Sequence, residues 1–309
     1  MPEITVHPTM AKVDLDEVLA ASLRANRLDP KLLYVTPRQA ELWREVSRKH
    51  SPIHANPEFS RIYREAYARV AEEMPRGKIQ LVGLGPGTGF KEAELAARLV
   101  ASGHEVHFSA IDVSRELVEE AAGRVATVGA RTGRHLVCDL AELDFIKAWL
   151  EADEVETPRL FTLFGVAPNL EATFTAKLLR ELVRPDDWLL ASVHLAPVSE
   201  KVSIEAAMDK IVPQYDNVET LAWLREATRQ WKLDERMREP RILRDEQAGI
   251  PCIRGMAPIN SSHAWFQLFL SLRYTPELFD ELLYSAGVRG ELLAMTACRE
   301  EAIWAVRCA

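Results

Sequence analysis

The chain has 309 residues, 48% of them hydrophobic and 27% charged, with a net charge of −8; that is the profile of an ordinary folded protein, long enough for one α/β domain of about 200 residues and an addition of about 100. The acidic balance, with no run of clustered Lys and Arg, excludes a phosphate-neutralising surface, so small molecules rather than nucleic acid are the expected partners. Cys138, Cys252, Cys298 and Cys308 form no C-x-x-C pair, which argues against a zinc site and a disulfide framework and for reduced thiols.

Residues 1–75 are polar and helical in pattern. Leu15, Val18, Leu19 and Leu23 share one helix face, and Leu42 with Val46, then Ile62, Ala66 and Val70, continue the period. Met1 to Val13 holds no secretory apolar core and no run of about 18 apolar residues follows anywhere, so a cytoplasmic protein with no membrane partner is expected. His50 and His54 stand four apart, a spacing that presents one face only on a helix. Pro52 and Pro57 interrupt the pattern there, so a solvated loop is expected and no metal.

The stretch Lys78 to Glu92 reads K-I-Q-L-V-G-L-G-P-G-T-G-F-K-E. An apolar strand breaks into a glycine turn, and a helix period starts at once through Ala93, Leu95, Ala96, Leu99 and Val100. Glycines let a ligand press against the main chain, and the helix N-terminus behind them offers unpaired N–H groups, so the turn is expected to hold a nucleotide. A dinucleotide site wants G-x-G-x-x-G. Here the register is Gly85, Gly87, Gly89, with Phe90 where the third glycine should stand, which weakens a nicotinamide reading. The next apolar run, Val106 to Ile111, ends in Asp112, a carboxylate placed to accept both hydroxyls of a ribose.

Ser114 then caps a helix with Glu116, Glu119 and Glu120 in its early turns, as the helix dipole prefers. The following strand, Arg134 to Leu140, carries Asp139 near its end. A fourth, Arg159 to Gly165, runs into Asn169, and a fifth, Trp188 to Leu195, is continuously apolar, as a buried parallel strand should be. Ligands collect at the carboxyl ends of such strands, near the switch in strand order, which puts Asn169 in the reaction zone. From Ser199 to about Ser262 the pattern is helical, charged and irregular, with no strand that could join the sheet. The sheet is expected to resume with Ala264 to Tyr274 and to close, after a helix, with Leu292 to Ala297 and Ala302 to Val306. Four segments follow: an N-terminal helical part over 1–75 that contributes to the substrate domain, a first Rossmann-like part over 76–198, an inserted substrate-binding region over 199–262, and a return to the sheet over 263–309.

With the glycine turn, the strand-end acid and this β/α series in place, the chain resembles the class I S-adenosylmethionine-dependent methyltransferases. The resemblance implies an α/β fold with a seven-stranded Rossmann-like sheet and a second, mostly helical substrate-binding domain. Within that class the chain is similar to the histidine-specific N-alpha-methyltransferases of ergothioneine biosynthesis. The motifs that carry this are Leu84-Gly85-Pro86-Gly87-Thr88-Gly89-Phe90-Lys91, Ile111-Asp112-Val113-Ser114, Leu163-Phe164-Gly165 leading to Asn169, Tyr215-Asp216-Asn217, and Ser271-Leu272-Arg273-Tyr274-Thr275-Pro276-Glu277.

The resemblance implies S-adenosylmethionine as cofactor and S-adenosylhomocysteine as product, on a turn made by Gly85, Gly87 and Gly89. It implies that Lys91 holds the cofactor's methionine carboxylate, Asp112 its ribose and Asp139 its adenine. Asn169 and Tyr215 would grip the amino-acid part of the substrate and serve the reaction, and Tyr34 would lie near the amino group or ring. The bland reading of Tyr34 and Tyr215 is a surface residue with a packed ring and a wet hydroxyl, and for Tyr34 the two readings stand level. The family selects histidine with a Glu and a Ser two residues apart; here Ser271 matches the serine, but Phe269 stands at the glutamate. Loss of that acceptor would leave a buried imidazole donor unpaired, at roughly 1–3 kcal/mol. A larger apolar or aromatic amine is therefore expected in place of histidine, unless Phe269 is a core residue one register away. Arg244 falls where the family has an apolar residue, and an arginine in the pocket would instead fit an acidic substrate group. The expected activity is N-methylation of a small amino-acid-like substrate; the alternatives are O- or C-methylation of a small natural product, a nicotinamide-dependent oxidoreductase, or a binding module without turnover.

Overall fold

A computed structural model describes residues 3–152, 157–199, 201–260 and 262–309. Its strands in chain order are β1 Ile4–Val6, β2 Lys78–Leu84, β3 Glu105–Asp112, β4 Arg131–Thr132, β5 His135–Val137, β6 Arg159–Phe164, β7 Trp188–His194, β8 Arg241–Gln247, β9 Ile250–Pro258, β10 Trp265–Leu272, β11 Val288–Met295 and β12 Glu301–Cys308. The α-helices are α1 Lys12–Ala25, α2 Pro37–His50, α3 Pro52–Ala55, α4 Pro57–Glu73, α5 Phe90–Ala101, α6 Arg115–Ala126, α7 Leu143–Glu151, α8 Ala172–Leu182, α9 Ile204–Tyr215, α10 Val218–Gln230 and α11 Pro276–Ser285. Among the described residues no helix is long and apolar enough to cross a membrane.

The large sheet runs β1-β5-β3-β2-β6-β7-β12-β11, with β4 beside β3. Its core strands pair parallel, and β12 enters antiparallel between β7 and β11. Strand order reverses between β2 and β6, whose carboxyl ends therefore open a crevice. One face is covered by α4, α5 and α6 through residues such as Ile62, Leu95 and Val118. The other is covered by α7, α8 and α11 through Ile146, Leu178 and Phe279. The seven-stranded α/β expectation holds, with β1 and β4 as additions at one side.

Three expectations need correction. Strand β10 does not resume the large sheet; it forms a separate antiparallel sheet in the order β10-β9-β8, so the region 199–262 contains two strands as well as helices. Strand β8 is charged and mostly exposed, and β9 carries Pro251, Gly255 and Pro258, which hides its period. The first 75 residues are divided as well: α4 packs on the large sheet and β1 pairs with β5, while Leu15, Leu28, Leu32 and Leu42 join the core of the small sheet with α9 and α10. Finally, Pro52 and Pro57 begin helices α3 and α4 in place of a loop, because a first-turn N–H has no intrahelical acceptor and proline, which lacks one, loses no bond there. His50 Nε2 lies 2.9 Å from Glu219, and His54 packs its ring on Phe90.

Candidate active site

The glycine turn sits where β2 meets α5. Gly85, Gly87 and Gly89 have φ of +63°, +56° and +68°, the left-handed region that costs a residue with a Cβ. None of them has free room for one either, and a Cβ on Gly85 would lie 2.9 Å from the Val166 side chain. A Cβ on Gly89 would lie 2.6 Å from the Ala121 Cα in α6, and one on Gly87 would lie 2.4 Å from the Trp43 indole. The missing side chains let α6 approach and let an indole lie on the turn. Trp43 is held there by α2, whose start is fixed by a reciprocal cap between Thr36 and Gln39, an arrangement worth about 1 kcal/mol.

Asp112, at the end of β3, is buried. It accepts the N–H groups of Gly87 at 3.3 Å and Ser114 at 3.0 Å, yet burial outweighs these donors and pushes its pKa up to about 6. Lys91, in the first turn of α5, holds its ammonium 4.8 Å from the Tyr63 ring centroid, a cation over an aromatic face. Asp139 is not free: Lys31 Nζ lies 2.9 Å from its Oδ2 in a largely buried ion pair, and the Ala141 N–H donates to Oδ1 at 2.9 Å.

Opposite this wall stand residues of the small sheet and its helices. The main chain before Tyr34 is pinned to α10 and the turn after it, where Trp223 Nε1 donates to the Leu33 carbonyl at 3.1 Å and Trp231 Nε1 to the Leu32 carbonyl at 2.8 Å. Tyr34 packs on Trp43 and Trp223, and burial and the charge of Asp112 raise its pKa. Phe269 lies 5.8 Å from both the Tyr215 and Trp223 centroids. The Tyr215 hydroxyl is 3.0 Å from Ser271 Oγ and accepts from Arg273 Nη2 at 2.6 Å. Asn169 lines the same space and donates its amide to the Gly165 carbonyl at 3.2 Å.

A cavity of about 600 Å³ joins the two walls and is lined by the candidate residues other than Gly89, Arg244 and Ser271, among them Tyr34, Lys91, Asp112, Asp139, Asn169, Tyr215 and Phe269. Two candidates are corrected. Ser271 is fully buried and does not line the cavity; it reaches it only through the Tyr215 hydroxyl. Arg244 is exposed, bonded to the Glu205 carbonyl and paired with Asp209 at 2.9 Å, and it takes no part in the cavity. Sequence reasoning missed Lys31, Trp43, Trp223 and His194. His194 ends β7 and lines the cavity; burial, together with the charges of Arg273 and Lys91, lowers its pKa well below the ordinary histidine value.

The residues fit an adenosylated amino acid. A positive-φ turn offers its main chain, a buried acid stands at the next strand tip, and a lysine without a carboxylate partner among the described residues flanks them. Fold and site together define a class I S-adenosylmethionine-dependent methyltransferase. Residues 13–215 match the family described as histidine-specific, SAM-dependent methyltransferases, and the chain belongs to it. Membership favours S-adenosylmethionine over the nicotinamide alternative.

Among solved structures the chain is similar to the CurJ carbon methyltransferase, at 12% identity and TM-score 0.48 over 96% of this chain and 69% of that one. It is also similar to the CcbJ methyltransferase of Streptomyces caelestis, at 14% and 0.43 over 80% and 95%, and to CalS10, an amino pentose methyltransferase of Micromonospora echinaspora, at 11% and 0.42 over 82% and 95%. No curated protein matches the chain.

Proposed function

We propose that the enzyme methylates the amino nitrogen of a small amino-acid-like substrate with an apolar or aromatic side chain, and that histidine is a poor substrate. The observation that carries this reading is Phe269. Its ring packs tilted against Tyr215 and edge-on against Trp223 at the position where a histidine-selecting carboxylate is expected, and an imidazole N–H buried there would find an aromatic ring in place of an acceptor.

In this reading Gly85, Gly87 and Gly89 form the floor under the cofactor, Asp112 accepts the ribose hydroxyls, and Lys91 pairs with the methionine carboxylate. Asp139 receives the adenine amino group with one oxygen while Lys31 holds the other. S-adenosylmethionine supplies an electrophilic methyl group and departs as S-adenosylhomocysteine. The protein's own task is then alignment and exclusion of water, because charge leaves the sulfonium as the new bond forms. Asn169 and Tyr215 orient the amine lone pair on the methyl axis, and Tyr34 and Trp43 close the site. The amine must first pass its proton to water or to a tyrosine or carboxylate nearby. His194 stays neutral beside it and adds no competing positive charge.

The test is transfer of label from methyl-labelled cofactor to a panel of free amino acids and their amines. Turnover of histidine equal to that of the best aromatic amino acid would sink the selectivity argument. Label found only on oxygen or carbon would move the assignment to O- or C-methylation.

A further inference from the structure

Six carboxylates line the cavity, and five of them are answered by the protein itself. Asp139 pairs with Lys31 at 2.9 Å, Glu171 with Arg27 and Gln247, and Glu300 with Lys210 at 2.8 Å and Gln214 at 2.9 Å. Asp29 accepts the Lys31 main-chain N–H at 3.1 Å, and Asp112 accepts those of Gly87 and Ser114. Glu301 is the exception. The residue is 3% exposed, and among the described residues neither a cation nor a main-chain N–H reaches its side chain; its partner is the Tyr63 hydroxyl, which donates to Oε1. A carboxylate taken out of water without a counter-charge is costly, and such groups are normally paired.

The same tyrosine also holds a cation. Lys91 Nζ stands 4.8 Å from the Tyr63 ring centroid and 6.0 Å from that of Phe164. Tyr63 is fully buried and fixed edge-on against Phe164 at 5.5 Å and Tyr67 at 5.9 Å. Tyr67, one turn further along α4, donates its hydroxyl to the Lys91 carbonyl at 3.1 Å. One ring therefore presents an ammonium over its face and a carboxylate at its hydroxyl, and no ion pair joins the two among the described residues. An open cation beside an open anion is the complement of an α-amino acid, whose ammonium and carboxylate share one carbon.

We propose that Glu301, oriented by the Tyr63 hydroxyl, receives the α-ammonium of the cofactor's methionine end while Lys91 takes its carboxylate. This rests on the Lys91 pairing given above and supplies the charge which that pairing leaves unanswered; it does not depend on which substrate atom accepts the methyl group. Both contacts are charge-assisted hydrogen bonds in a site shielded from water, where such bonds are strongest. An ammonium on the substrate has the same chemistry, but Tyr63 ties Glu301 to Lys91 on the cofactor wall and not to Tyr34, Tyr215 and Phe269 opposite.

Calorimetry with three ligands tests it: S-adenosylhomocysteine, its analogue without the α-amino group, and its analogue without the carboxylate. The wild-type protein is expected to bind each truncated ligand at least about tenfold more weakly than the whole one, as a lost charge-assisted bond in a buried site should give. Glu301→Gln keeps the shape and an acceptor for the Tyr63 hydroxyl. It is expected to weaken S-adenosylhomocysteine and the carboxylate-free ligand by about tenfold and the amino-free ligand not at all, which also shows the fold intact. Tyr63→Phe keeps the ring under Lys91 but releases Glu301, and should narrow the preference for S-adenosylhomocysteine over the amino-free ligand severalfold, a second reading should Glu301→Gln not fold. Lys91→Met should spare the carboxylate-free ligand alone; if it weakens all three alike while Glu301→Gln behaves as stated, the Lys91 pairing fails and the Glu301 subsite stands. Wild-type binding of the amino-free ligand as tight as that of S-adenosylhomocysteine, or a Glu301→Gln loss equal for all three ligands, overturns the subsite. So does a Glu301→Gln protein that binds all three as the wild type does and only raises KM for an amine substrate, which would give this carboxylate to the substrate.

Discussion

The cofactor wall of the cavity is made from strand ends in the parallel part of one sheet, whereas the opposite wall is gathered from Tyr34, Tyr215 and the pair Phe269 and Arg273, which belong to three separate stretches of chain. On the first wall each residue is placed by the element it terminates: Gly85 by β2, Asp112 by β3, Lys91 by the first turn of α5. On the second, position depends on side chains packed against one another. The first wall is therefore strict about backbone and the second about volume and charge.

The largest effect should come from breaking the strict wall. Gly89→Ala adds a Cβ 2.6 Å from the Ala121 backbone at a φ of +68°, and is expected to cost on the order of 2–4 kcal/mol. Thermal melting should show the loss, and calorimetry a failure to bind S-adenosylhomocysteine. Next comes a change to the permissive wall: Phe269→Glu places an acceptor beside Tyr215 and Trp223. The ratio of histidine to phenylalanine turnover should rise by about tenfold to a hundredfold, the worth of roughly 1–3 kcal/mol, with cofactor affinity unchanged. Competition assays measure the ratio, and a ratio that does not move would make Phe269 a core residue without a part in selection.

A titration separates the walls more gently. Burial raises the Asp112 pKa to about 6 in the folded protein, so the carboxylate proposed to accept ribose hydroxyls is ionised above that value and protonated below it. Cofactor affinity should fall by up to about tenfold per pH unit beneath about pH 6, and Asp112→Asn should remove that dependence along with most of the affinity. Binding of S-adenosylhomocysteine between pH 5 and 8 reads it. The smallest effect belongs to Arg244→Ala: its pair with Asp209 is exposed, so stability should change by no more than about 0.5 kcal/mol and substrate KM not at all.

The same contrast explains what could be read in advance. The glycine turn, Asp112 and Lys91 share a short stretch of local pattern, strand then turn then helix start, and the large sheet follows from its apolar runs. The small sheet did not announce itself, because β8 has the sequence Arg-Ile-Leu-Arg-Asp-Glu-Gln with one buried residue and β10 is as apolar as a strand of the large sheet. Lys31 leaves no periodic trace, since its meaning lies in Asp139 far along the chain. Trp43 looks like any apolar position of an amphipathic helix until the turn it covers is known. Glu301 stands just before the last predicted strand, yet its want of a counter-charge is a property of burial, which no spacing reveals.

One feature of the large sheet bears on how the protein reaches this state. Strand β7 pairs along its whole length with β12, His194 opposite Glu301 and Trp188 opposite Arg307, and the chain between them makes α9, α10, all of the small sheet, α11 and β11. The centre of the sheet is thus closed by a contact across a loop of roughly a hundred residues, an expensive closure in chain entropy that slows folding unless the intervening chain has already condensed. The small sheet and its helices shorten that loop when they form. The lobe proposed to select the substrate is therefore expected to influence how fast the large sheet is completed, and changes in Phe269 or its neighbours that loosen the small core should appear first as slower refolding.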